Sequence, residues 1–143
     1  LAISSAASDV YKRQGTHNVD GDSASITMAT AIISAFEGVP IDQNLAMTGS
    51  LSVRGEVLPI GGVSAKIEAA VKSGIERVVI PRSNLQDVLI DEKYESMVEI
   101  IAVDSLDEVL EHALVGEQEK ISLVERLAKV IDTFSATSDS TLA

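Results

Sequence analysis

The sequence predicts an α/β (α+β) domain in which a mixed β-sheet packs against helices. Three observations carry that expectation. Apolar residues make up 45% of the 143-residue chain and aromatics only 3%, so the core has to be built from Ala, Val, Ile and Leu. Stretches with helical spacing of apolar residues alternate with short β-branched runs such as "IERVVIP" and "VEIIAV". One stretch reads as a hairpin, and a hairpin within such an alternation implies mixed strand directions. A chain of this length makes one domain, or part of one, with a sizeable core.

The elements follow in order. Residues 1–14, "LAISSAASDVYKRQ", are Ser/Ala-rich, lack a sustained period and resemble translated adapter read-through. They are read as a non-native leader, which makes the chain a C-terminal fragment whose domain spans 15–131. Residues 23–37 carry Ile26, Met28, Ala29, Ile32, Ile33 and Phe36, apolar on nearly all sides, and predict a helix buried within the domain. Gly38 and Pro40 end it. "LAMTGSLSVRGEVLPIGG" predicts strand, turn and strand around Arg54-Gly55, with Leu51, Val53, Val57 and Ile60 as its apolar residues.

Gly61-Gly62 open a second helix over 63–73, which Gly74 closes. "IERVVIP" is a buried strand ending at Pro81, residues 83–89 form a short helix, and "VEIIAV" is another strand. Ser105 and Glu108 have capping-box spacing for a helix reaching Leu114. A last helix covers 117–131, and the Ser/Thr-rich residues 132–143 are expected to fray as a flexible tail.

Composition removes several classes of function. With no cysteine, disulfides, thiolate metal sites and a Cys nucleophile are excluded. Of the net charge of -11, residues 86–125 supply -10, from twelve acids against Lys93 and Lys120. Such an acidic half argues against binding nucleic-acid phosphates or anionic lipid, and reads as a solvated face that aids solubility. The longest apolar run, 29–36, falls short of the ~18 residues that a membrane span needs.

Chemistry centres on "NVDGDSASITMAT". Ser23 and Ser25 each have a structural reading as the cap of the first helix. A nucleophilic Ser23 needs a base and an oxyanion site. The two histidines, His17 and His112, belong to no local pattern that makes a Ser-His-Asp triad. A lysine serves as base once its pKa falls from about 10.4 toward neutrality, which burial among apolar groups achieves. On a helical wheel Val63, Ile67, Ala70, Val71 and Gly74 form an apolar arc, and Lys66 lies at its edge. Lys72 points away, with Ser64 and Glu68. The structural alternative for Lys66 is a stem that snorkels to water. A helix start supplies N–H groups and the positive end of the helix dipole to a developing oxyanion, and Gly21 permits a sharp approach. The chain has no G-x-x-x-x-G-K-[ST] phosphate loop, Gly61-Gly62 lacks the rest of a G-x-G-x-x-G fingerprint, and the isolated histidines make no metal site.

"VDGDSASITMATAIISAFEGVPI", "LAMTGSLSVRGEVLPIGGVSAKIEAAVKSGI" and "RVVIPRSNLQDV" together resemble the proteolytic domain of the Lon family of ATP-dependent serine proteases, in its archaeal or B-type form. The resemblance runs from Gly15 to Leu114. It implies a Ser-Lys dyad: the G-x-S-A segment places the nucleophile at Ser23, and G-G-hydrophobic-x-x-K places the lysine at Lys66. It also implies that Thr48, in Met-Thr-Gly, orients the lysine, that Asp20 supports the site, and that the Asp22 and Ser23 backbone N–H groups hold the oxyanion. The Gly-Asp before Ser23 departs from the Gly-Pro of the A-type branch.

The resemblance further implies strands of the domain preceding Gly15 and an upstream AAA+ ATPase module. ATP and magnesium belong to that module, leaving this chain without a cofactor of its own. Partners implied are unfolded or damaged protein substrates and further copies in a hexameric ring, with no nucleic acid. The implied setting is cytoplasmic, with membrane tethering of the parent through another segment. The alternative implied role is a non-catalytic Lon-like assembly domain of a recombination-related ATPase.

Overall fold

The computed structural model describes residues 22–140; residues 1–21, which include the expected leader and Gly15, His17, Asp20 and Gly21, and residues 141–143 lie outside the described residues. Helix α1 (Ser25–Glu37) leads into strands β1 (Leu45–Met47), β2 (Ser50–Leu51) and β3 (Val57–Leu58). Helix α2 (Val63–Lys72), strand β4 (Arg77–Pro81) and a 3-10 helix (Arg82–Asp87) follow. The chain then forms α3 (Glu92–Glu95), β5 (Glu99–Val103), α4 (Leu106–Ala113) and α5 (Glu117–Ser140).

Both strand directions occur, in separate sheets. β1, β4 and β5 make a three-stranded parallel sheet with β4 in the centre, while β2 and β3 form the antiparallel hairpin. The "LAMTGSLSV" stretch therefore splits in two: Leu45–Met47 joins the parallel sheet beside Arg77, Val78 and Val79, and only Ser50–Leu51 enters the hairpin. Val53, expected among the strand's apolar residues, sits in the turn and is fully exposed at 101%.

β4 explains the layering. A central parallel strand is buried on both faces, and "RVVIP" supplies apolar side chains to each. Val78 and Ile80 pack with Val63 and Ile67 of α2. Val79 faces the other way, onto Ile26 of α1 and Val109 of α4. Each of these fully buried aliphatic side chains contributes roughly 1.5–3 kcal/mol through removal from water. A further cluster of Val39, Leu110, Leu114 and Leu123 docks α5 on α4.

α1 differs from expectation on two counts. It begins at Ser25, with Ala24 at the N-cap, and ends as expected at Gly38, whose left-handed φ of 67° suits the residue without a side chain. It is also buried on one face only: Ile26 and Thr30 point inward, while Met28, Ile32 and Phe36, spaced four apart, stay exposed, Phe36 at 87%.

α2 matches its expected span closely, starting from Gly62, whose φ of 69° again favours glycine. The expected helix over 83–89 is a 3-10 turn, and α3, capped by the Asp91 side chain on the Lys93 amide, was not foreseen. The capping box at Ser105 does not form. Ser105 makes no side-chain cap and forms a backbone bridge to Glu56, while Glu108 is drawn to the Asp104 amide at 3.1 Å and to Arg82 at 3.5 Å. α5 runs on to Ser140 where a frayed tail from Asp132 was expected. Thr133 and Thr137 donate their hydroxyls back to the carbonyls of Lys129 and Thr133, at 2.8 Å each, so these side chains bond within the helix.

Candidate active site

Ser23 lies in the turn immediately before α1 and is 7% exposed. It is not the helix cap, because Ala24 takes that position. Ser25 fastens the turn instead, donating its hydroxyl to the Asp22 carbonyl at 2.7 Å and to the Asp22 carboxylate at 3.4 Å. The Ser23 carbonyl accepts two hydrogen bonds, from the Gly49 amide at 2.9 Å and from Thr48 Oγ1 at 3.2 Å. The Thr48 amide in turn donates to Val79 at 3.0 Å, extending the β1–β4 ladder by a residue. The serine is thus tied through one residue to the central strand.

Thr48 is as buried as Ser23, at 7%. Its hydroxyl donates to Ser23 and accepts from Lys66 Nζ at 3.4 Å, at the long end of the hydrogen-bond range. Lys66 stands on the first turn of α2, half-buried beside Val63 and Ile67. Three residues separated by 25 and 18 positions therefore form one chain of contacts, from the lysine amine through Thr48 to the Ser23 backbone. Lys72 is engaged elsewhere, with Glu68 at 3.5 Å and above the Tyr94 ring. His112 sits in the last turn of α4, and Asp20 and His17 are outside the described residues.

The start of α2 is held by residues that sequence reasoning missed. Asn84, 2% exposed, accepts from the Ile60 amide at 2.9 Å and donates to the Ile60 carbonyl at 3.0 Å and to Asp87 at 2.9 Å. Ser64 donates to the Asp87 carbonyl and accepts from the Leu89 amide. Apart from the local Asn84–Asp87 bond, these contacts join segments more than twenty residues apart, so nothing local in the sequence distinguishes Asn84 from an ordinary turn former.

The pKa of Arg82 is raised by its hydrogen bond to Asp104, then by that carboxylate's charge. The hydrogen bond between the Asp91 and Lys93 side chains lowers the acid and raises the amine. Among the described residues no three His, Cys, Asp or Glu side chains converge on a metal position, and no helix is long and apolar enough to cross a membrane.

The family model of the Lon protease (S16) C-terminal proteolytic domain matches residues 5–116. The chain belongs to this family. Within the Lon family it is similar to the Archaeal Lon protease of Halobacterium salinarum, 61% identical over 120 residues, which cover 84% of this chain and 17% of that protein. The Archaeal Lon protease of Methanothermobacter thermautotrophicus is 57% identical over 119 residues, 83% of this chain and 18% of that protein. A bacterial Lon protease, from Azorhizobium caulinodans, is 43% identical over 118 residues, covering 82% of this chain and 14% of that protein. The chain thus spans less than a fifth of the length of these relatives, and its greater identity to the archaeal ones accords with the archaeal form read from Gly21-Asp22.

Proposed function

We propose that this domain is a serine endopeptidase that cleaves peptide bonds through a Ser23–Lys66 dyad. The observation that supports it most is the contact chain from Lys66 Nζ to Thr48 and from Thr48 to Ser23. A non-catalytic assembly module has no need of a lysine amine held over a buried threonine beside a buried serine. In the proposed reaction the neutral Lys66 amine takes the Ser23 hydroxyl proton as Oγ attacks the peptide carbonyl. The Asp22 and Ser23 backbone N–H groups hold the resulting oxyanion. The Lys66 ammonium then protonates the leaving amine, which departs and leaves an acyl ester on Ser23. Water attacks that ester, giving its proton to Lys66, which passes it to the departing Ser23 Oγ, so that the acid product is released with the serine hydroxyl and the neutral amine restored. Thr48 keeps Lys66 at its post throughout, and Asp20 supports the site.

On this reading the substrates are unfolded or damaged polypeptides, and the domain works in the cytoplasm within a hexameric homo-oligomer. ATP and magnesium act in an ATPase module beyond this segment. The test is cleavage of a fluorogenic peptide by the full-length protein and by its Ser23→Ala and Lys66→Ala variants, with folding checked by circular dichroism. Both substitutions are expected to abolish turnover. Undiminished cleavage by either folded variant removes the dyad.

A further inference from the structure

Gly49 follows Thr48, and both of its peptide groups reach the nucleophile's turn. Its amide donates to the Ser23 carbonyl at 2.9 Å, and its carbonyl accepts from the Ile26 amide at 3.3 Å. Ile26 is the second residue of α1, where an amide has no partner within its own helix. The pair of bonds brackets residues 23–26 against the end of β1.

Backbone freedom does not explain a glycine here, because Gly49 is not among the residues with left-handed φ. Space does. A Cβ at this position comes within 3.1 Å of Ile26 Cδ1, 3.1 Å of Val57 Cγ1 and 3.4 Å of Pro81 Cγ. Ile26 and Val57 are buried in the same core cluster and have little room to retreat. Pressure on Ile26 is transmitted directly to the bracketed turn, since the same residue supplies the second hydrogen bond.

We infer that Gly49 is a positioning residue for the proposed reaction: its missing side chain sets how closely the Ser23 turn approaches Thr48, and thereby Lys66. This deepens the Ser23–Lys66 reading and rests on it. A methyl group moves the nucleophile relative to a lysine anchored on the neighbouring residue, so it acts on turnover more than on substrate binding.

The test uses the full-length protein. Gly49→Ala is expected to lower kcat for a fluorogenic peptide about tenfold or more, with KM within about twofold. Adding Ile26→Val removes the Cδ1 methyl that the new Cβ meets, and is expected to recover at least about threefold of the loss. Retention of kcat within about twofold in Gly49→Ala overturns the inference, as does a folded double variant with no recovery. Should Gly49→Ala fail to fold, hydrogen exchange on the wild-type protein decides. The Gly49 and Ile26 amides are expected to exchange as slowly as that of Val79, and fast exchange at either refutes the bracket. Exchange involves no chemistry at Ser23, so a failed dyad, seen as cleavage by Ser23→Ala, stays distinguishable from a failed bracket.

Discussion

Replacing Thr48 by valine should separate the cost to the fold from the cost to catalysis. Valine keeps the branched shape in a site only 7% exposed and removes the hydroxyl alone. Two hydrogen bonds disappear, yet neither leaves a stranded partner. The Ser23 carbonyl keeps the Gly49 amide at 2.9 Å, and the half-buried Lys66 amine turns to water. The stability loss is therefore that of ordinary net hydrogen bonding, about 1 kcal/mol, or roughly 3–6 °C in Tm for a domain of this size. Catalysis loses more. The lysine no longer has a fixed perch, and displacement of a base by about 1 Å costs on the order of 100-fold, equivalent to about 2.7 kcal/mol of activation free energy. Steady-state peptide cleavage and chemical denaturation, on the same preparations, give the two numbers. Thr48→Ser keeps the hydroxyl and is expected to retain most of kcat. A Thr48→Val protein with kcat within about threefold of wild type, or one that loses activity only in step with its folded fraction, refutes the positioning role of Thr48.

Two further outcomes test the surroundings of the site. Asn84→Ala strands the Ile60 amide and carbonyl at the approach to α2 while the exposed Asp87 rehydrates, so urea denaturation should show a loss of about 2–4 kcal/mol at unchanged m-value. Asp91, held below its ordinary value of 3.8 chiefly by the Lys93 side chain, binds its proton more weakly in the folded protein than in the unfolded one. Its contribution is therefore full above that ordinary value and lost as pH falls through the lowered one, so Asp91→Asn should flatten the acid limb of urea-unfolding stability plotted against pH, below about pH 5.

What the sequence made legible follows from how local each signal is. The β4 and β5 runs were readable because buried parallel strands are apolar on both faces, and α2 was readable because its glycines and its apolar arc lie within one short stretch. Lys66 became a candidate through that arc and Ser23 through its position at a helix start, while the family resemblance chose them as the expected dyad over Lys72 and Ser25. Thr48 came only from the family resemblance, since its partners lie 25 residues behind and 18 ahead. Asn84 carried no sign at all and Gly49 only its place in Met-Thr-Gly: their roles exist only once distant segments meet. The misread details have the same origin. Ser105 has perfect capping-box spacing, but a bridge to Glu56 and the pull of Arg82 on Glu108 outcompete it. Met28, Ile32 and Phe36 gave α1 the pattern of a buried helix, yet the described residues cover only its Ile26 face.

The bond from the Thr48 amide to Val79 also imposes an order on biosynthesis. Ser23, Thr48 and Lys66 are all synthesised before β4, but β1 has no parallel partner until Arg77, Val78 and Val79 are available to pair with it. Parallel pairing across some thirty residues is a non-local step that follows the formation of local helices. On the proposed function, an unfinished chain that stops short of β4 holds both Ser23 and Lys66 and still lacks the strand on which Thr48, their common partner, is seated. The site proposed for cleavage is in this sense assembled only once β4 is available, so that a growing chain still short of it carries no working blade toward itself or its neighbours.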